Sequence, residues 1–193
     1  MGYIKEDAKI NDTTWLIDAV YKTNEGLMSG GTAAYLIKTE DRSNCLINPS
    51  TYSGAEYVYQ NLKKIGAWPL QKILITHSHW DHTQGIFYLQ EKIEEDNLPE
   101  IEILASEKAM PYLLDQSYNT CFVLEEIYSA KLPNIENAIP LKEKVILNSD
   151  YILDIFETPG HTLDHISIYD PQTKTLFKWR CNWDALVASV LCV

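Results

Sequence analysis

Arginine is almost missing from this sequence. Only Arg42 and Arg180 occur, and lysine does not make up the deficit: 16 basic residues stand against 27 acidic ones, a net charge of −11 at pH 7. Nucleic-acid binding draws most of its strength from Lys and Arg neutralising phosphates, so this balance argues against a nucleic-acid partner. Long apolar runs are missing too. None approaches the roughly 20 residues of a membrane span. Met1–Asp7 holds no basic stretch leading into an apolar one, so the expectation is a cytoplasmic protein with no membrane partner. The four cysteines, Cys45, Cys121, Cys181 and Cys192, show no C-x-x-C spacing. A chain of this length buries enough surface to fold without cross-links, and free thiols are expected.

What is present is the composition of an ordinary globular domain, 46% apolar and 22% charged, with neither a repeat nor a linker. Short runs with strand character, bounded by Gly, Asn, Asp or Pro, lie at Trp15–Tyr21, Ala33–Lys38 and Cys45–Asn48. Three more lie at Lys72–Thr76, Glu102–Ala105 and Tyr151–Thr158. Apolar residues at Val58, Leu62 and Ile65 predict a helix over Ser53–Ile65, and Ile86, Leu89 and Ile93 predict another after His82. Ser106 is placed to cap a third helix running through Leu114. The acidic stretch Glu91–Glu102 reads as a solvated helix end and loop rather than a functional tail.

All five histidines fall in two short clusters. His77, His79 and His82 stand in T-H-S-H-W-D-H, and His161 and His165 in T-P-G-H-T-L-D-H, each at the end of an expected strand. Alternate residues of an extended chain face the same way, so His77 and His79 share a side. A lone histidine is usually a packing or surface residue, and an H-x-H pair arises readily by chance. Chance does not explain the whole pattern. Imidazole is the commonest zinc ligand, and catalytic zinc sites use three protein ligands with one position left for water. Gly160, beside His161, is expected to allow a close backbone approach or a positive φ.

These motifs resemble the metallo-β-lactamase superfamily, whose H-x-H-x-D-H signature is matched by His77, His79, Asp81 and His82. The family's later metal-binding histidine, in a T-P-G-H-T segment, is matched by His161. The resemblance runs from about Trp15 to Phe177 and implies an α/β fold, an αββα sandwich with metals held by loops at one edge of two packed sheets. It implies that His77, His79 and His161 form a first metal site, and that Asp81 and His82 form part of a second. It also implies zinc as cofactor: one ion here, two if the missing ligands are restored. The reaction implied is hydrolysis of a small-molecule ester, thioester or lactone by a metal-activated hydroxide, with Asp81 as the catalytic carboxylate. His165, in a P-G-H-T-x-D-H pattern similar to that of the β-lactamase-like endoribonucleases, is expected to pack behind the ligands, and that pattern keeps phosphodiester cleavage as an alternative. A redox role of the flavodiiron kind fits less well, because those proteins typically carry a carboxylate where His79 stands.

Two family features are missing. A bridging Asp is expected in a G-D pair just after an apolar pair like Leu176–Phe177, where Lys178, Trp179 and Arg180 stand instead, and no histidine follows His165. Asn48 also replaces the Asp of the family's early L-I-D-x-G turn. These departures make a catalytically defective metal-binding remnant a second alternative. The expected organisation is a partial domain over residues 1–177, incomplete in its C-terminal half, followed by an aberrant tail over 178–193. That tail holds two of five tryptophans, two of four cysteines and one of two arginines. One back-translation of Lys178–Ala185, read from its second base, gives N-G-D-A-I-G-M, so the tail is expected to be out of frame.

Overall fold

The computed structural model describes residues 8–17, 21–23, 26–28, 33–115, 133–182 and 185–192, with side chains for 8–17, 33–115 and 133–178. The chain forms two compact units: Met1–Leu74 with Asp81–Glu102, and Ile75–Trp80 with Ile103–Val193.

The first unit contains β1 (Ala8–Lys9), β2 (Thr14–Ile17), β3 (Tyr21–Thr23), β4 (Gly26–Met28), β5 (Ala34–Ile37) and β6 (Cys45–Ile47). After these come α1 (Tyr52–Ile65), β7 (Lys72–Ile75), α2 (Trp80–Thr83) and α3 (Gly85–Glu95). β1, β2, β5 and β6 pair antiparallel in that order, and β7 joins β6 in parallel. A parallel pair needs a crossover, and α1 supplies it. Every residue of β5 and β6 is buried, which explains why A-Y-L-I and C-L-I show no polar alternation. The expected strand at Trp15–Tyr21 is shorter than the sequence suggested: β2 ends at Ile17, residues 18–20 lie outside the described residues, and Tyr21 already belongs to the separate β3–β4 hairpin.

Helix α1 has clear ends. Thr51 Oγ1 accepts from the Gly54 N–H at 3.0 Å, and Gly66, at φ 70°, closes the helix in the left-handed region. Helix α3 starts where only glycine fits. A Cβ on Gly85 would lie 2.1 Å from the Pro49 carbonyl oxygen, while the Gly85 N–H donates to Ser50 O at 2.8 Å. The tight turn there holds Asn48 and Ser50 at φ 57° and 73°. Asn tolerates that region well, so the Asp-to-Asn difference is at home in a turn. The acidic end of α3 is solvated as expected, with Glu94, Glu95 and Asp96 exposed.

The second unit contains β8 (Glu102–Ala105), a 3-10 turn at Glu107–Ala109, α4 (Met110–Leu114), β9 (Ile139–Pro140), β10 (Lys144–Asn148), β11 (Tyr151–Glu157), β12 (Ile166–Asp170), β13 (Thr175–Asn182) and β14 (Ala185–Cys192). Ser106 caps as expected, its Oγ accepting from the Ala109 N–H at 3.2 Å. β8 and β9 pair in parallel, and β10 to β14 form an antiparallel meander. Asp170 builds the β12–β13 turn: its carboxylate accepts from the Gln172 N–H at 3.0 Å, and from Thr173 Oγ1 and the Tyr151 hydroxyl, both at 2.6 Å. β13 does not turn after Phe177. It continues as strand to Asn182, in register with β14 from Lys178 opposite Ser189 to Asn182 opposite Ala185. Cys45 is a buried free thiol, and burial pushes its pKa up; the other cysteine side chains lie outside the described ones.

Candidate metal centre

All the residues of this centre described first belong to the second unit. The chain leaves the apolar end of β7 as Thr76-His77-Ser78-His79, a polar stretch that stays buried through Ser78: Thr76, His77 and Ser78 expose 2%, 0% and 3% of their surface. His77 Nδ1 and Thr76 Oγ1 are 3.0 Å apart, a hydrogen bond that orients the ring. The other segment leaves β11 at Glu157 and returns at β12. It is closed by the Thr158 N–H donating to His165 O at 2.9 Å, and it carries a half-buried His161. The Ile166 N–H donates to Thr76 O at 2.9 Å, which sets the start of β12 beside the segment that carries His77.

These connections bring three imidazoles together. Ring centroids are 4.8 Å apart for His77–His79, 4.8 Å for His77–His161 and 4.7 Å for His79–His161, and the planes cross at 72°, 77° and 90°. One nitrogen from each ring lies within 4.8 Å of the other two. The donor chemistry fits a divalent metal. Three imidazoles, one buried and two half-buried, each offer one nitrogen to a shared point, the donor set of a catalytic-type zinc shell.

His165 stands behind the triad, its ring tilted at 41° with its centroid 5.6 Å from that of His77. Nδ1 lies 3.1 Å from Thr158 O, an acceptor only, so Nδ1 carries the proton. Burial lowers the His165 pKa, against the opposing effects of the Thr158 backbone bond and Asp164. The packing role expected for it agrees with this placement.

The remaining motif residues, Asp81 and His82, belong to α2. His82 is 1% exposed and its Nε2 lies 3.6 Å from Asp81 Oδ2, so the two are neighbours within their own unit. One expectation fails. Gly160 has no atom within 4 Å of where a Cβ would sit, and its φ is not positive, so neither close approach nor a left-handed backbone accounts for it. Sequence reasoning also passed over Asp164. Its position inside the second histidine cluster was the one available clue, and its 2% exposure marks it as a buried carboxylate.

Residues 28–178 match the sequence profile of the Metallo-beta-lactamase superfamily. Among curated relatives, a probable metallo-hydrolase of Methanocaldococcus jannaschii is 31% identical over 127 residues, covering 66% of this chain and 57% of that protein. A hydroxyacylglutathione hydrolase of Bartonella henselae is 30% identical over 145 residues, covering 72% of this chain and 47% of its own length. The chain thus spans about half the length of the relatives it matches. Among solved structures, the subclass B3 metallo-β-lactamase BJP-1 of Bradyrhizobium japonicum superposes with a TM-score of 0.64 at 22% identity, over 86% of this chain and 56% of that one. FEZ-1 of Legionella gormanii gives 0.62 at 18% identity, over 90% and 59%. At these identities the likeness is one of fold.

Proposed function

The chain belongs to the metallo-β-lactamase superfamily, and on that premise we propose that it is a metal-dependent hydrolase that binds one zinc ion through His77, His79 and His161 and acts on a small ester or thioester. The observation that carries the reading is the convergence of the three imidazole rings at 4.7–4.8 Å. Three imidazoles suit zinc among the common divalent ions. A zinc ion in such a site supplies Lewis acidity, lowering the pKa of water towards ~7 and polarising the oxygen under attack. The chain's own residues orient the ligands: Thr76 holds the His77 ring and Thr158 fixes the His165 ring packed against it. Asp81 is the proposed acid–base carboxylate, and Asp81 with His82 the proposed start of a second metal site.

A thioester is favoured over a phosphodiester by the relatives named hydroxyacylglutathione hydrolase and by the net charge of −11. Arg180 stands where the family's bridging Asp would stand. Two ligands from Asp81 and His82 hold a second ion weakly, and turnover by this chain is proposed to lie below the roughly 1 per second of ordinary enzymes. The out-of-frame tail is proposed with it, and sequencing the encoding DNA tests that part: a reading frame after Phe177 that yields no G-D discards it.

The deciding experiment is elemental analysis of purified protein joined to a panel of hydroxyacylglutathione thioester, lactone, nitrocefin and phosphodiester substrates, with and without chelator. One tightly held zinc and slow, chelator-sensitive thioester hydrolysis are expected. Two zinc ions resistant to mild chelation, or ordinary turnover, overturn the one-metal reading; cleavage of the phosphodiester alone overturns the substrate class.

A further inference from the structure

Asp164 has no role in the reading above, yet it is a buried carboxylate placed between the two ligand segments. Its Oδ2 accepts from the backbone N–H of Ser78 at 2.7 Å, and its own carbonyl accepts from Ser106 Oγ at 2.8 Å. Ser78 is the residue between His77 and His79. The amide that Asp164 grips belongs to the peptide unit joining His77 to Ser78, so it fixes the backbone directions from which both imidazoles project. Asp164 also lies three residues after His161, in the short segment closed by the Thr158–His165 hydrogen bond. One side chain therefore ties the segment carrying two ligands to the segment carrying the third. Ionised acceptors make stronger bonds to backbone N–H groups than neutral ones do, and a short aspartate stem leaves little slack.

We propose that Asp164 is a positioning residue of the metal centre: its bond to the Ser78 amide pre-sets the separation of His77 and His79 from His161 before any metal arrives. The proposal rests on the one-zinc reading at that triad. Groups that orient ligands without touching the metal typically carry a 10–100-fold share of its affinity, and Asp164 acts on backbone that serves two ligands at once.

The test titrates zinc into the chelator-stripped protein against a chromophoric chelator, for wild type, Asp164→Ala, Asp164→Asn and Asp170→Asn. Asp170 is a buried carboxylate of the same unit that organises the β12–β13 turn, so its variant reports general destabilisation. Asp164→Ala is expected to weaken zinc binding by about 10–100-fold. Asp164→Asn, which keeps an acceptor oxygen, recovers most of that loss, and Asp170→Asn stays near wild type even where its melting temperature falls equally. Two further readouts follow the geometry itself. Protection of the Ser78 amide from hydrogen exchange in the metal-free protein falls in Asp164→Ala and persists in Asp164→Asn, and the visible bands of the cobalt-loaded protein shift only in the former. Wild type that binds zinc together with an Asp164→Ala variant of unchanged affinity overturns this proposal alone. Wild type that takes up no zinc overturns the one-zinc reading and this proposal with it.

Discussion

The two segments that bring histidines together are built differently. Thr76–His79 continues a wholly apolar strand end and is buried through Ser78, with hydrogen bonds at Thr76, His77 and Ser78. Residues 158–165 follow an amphipathic strand, expose Thr158 to Gly160 and Leu163, and regain burial only at Asp164 and His165. His77 on the first segment is part of the core, whereas His161 hangs from a mostly solvated loop that is held at its ends. Rigidity in this centre comes from the first segment and from the far end of the second, where Asp164 and His165 anchor the backbone that carries His161.

The largest test of that contrast removes the imidazoles one at a time. His77→Ala and His161→Ala should each cost zinc binding about 3 kcal/mol or more, roughly a hundredfold or greater loss of affinity in a competitive titration. The metal-free proteins should then part company. His77→Ala opens a cavity at a fully buried position and should lose roughly 1–3 kcal/mol in urea unfolding, while His161→Ala should stay within about 0.5 kcal/mol. Equal losses in the two metal-free variants would mean that the segments do not differ as described.

A smaller effect is expected at the closed end of the second segment. Thr158 Oγ1 lies 2.9 Å from both His165 Nδ1 and Ser167 Oγ, so Thr158→Val should cost about 1 kcal/mol of metal-free stability. A cost beyond that would mark the loop as more rigid than its exposure suggests. The smallest effect belongs to Gly160, where a Cβ meets nothing. Gly160→Ala should change both unfolding and zinc affinity by no more than about 0.5 kcal/mol, and a large change in either would restore the special backbone role the sequence suggested.

Much of this centre was legible because histidine is scarce here and falls in two clusters, and because β7 and β11 are apolar enough to read as strands. The Ser106 and Thr51 caps follow local rules, and Ser106 was read correctly. The rest depended on contacts the sequence does not display. Asp164 looks like any aspartate until a distant amide is brought to it. Gly160 was misjudged because a glycine beside a ligand suggests crowding, whereas the loop there is open. β12 went unrecognised because I-S-I-Y-D is short and runs directly out of the histidine motif. The extension of β13 went unseen because a Gly-Asp turn was expected where the backbone runs straight on.

The hydrogen bond from Ser78 to Asp164 spans 86 positions of the chain. Closing so long a loop is entropically costly and comes after local structure such as α1 and the β10–β11 hairpin has formed. The triad is therefore a late arrival in the order of assembly. A metal that recognises only the assembled triad should act on the way out rather than the way in, lengthening the lifetime of the native state while leaving the folding rate nearly unchanged. Stopped-flow refolding and unfolding with and without zinc would show it as a displaced unfolding limb beside an unmoved refolding limb.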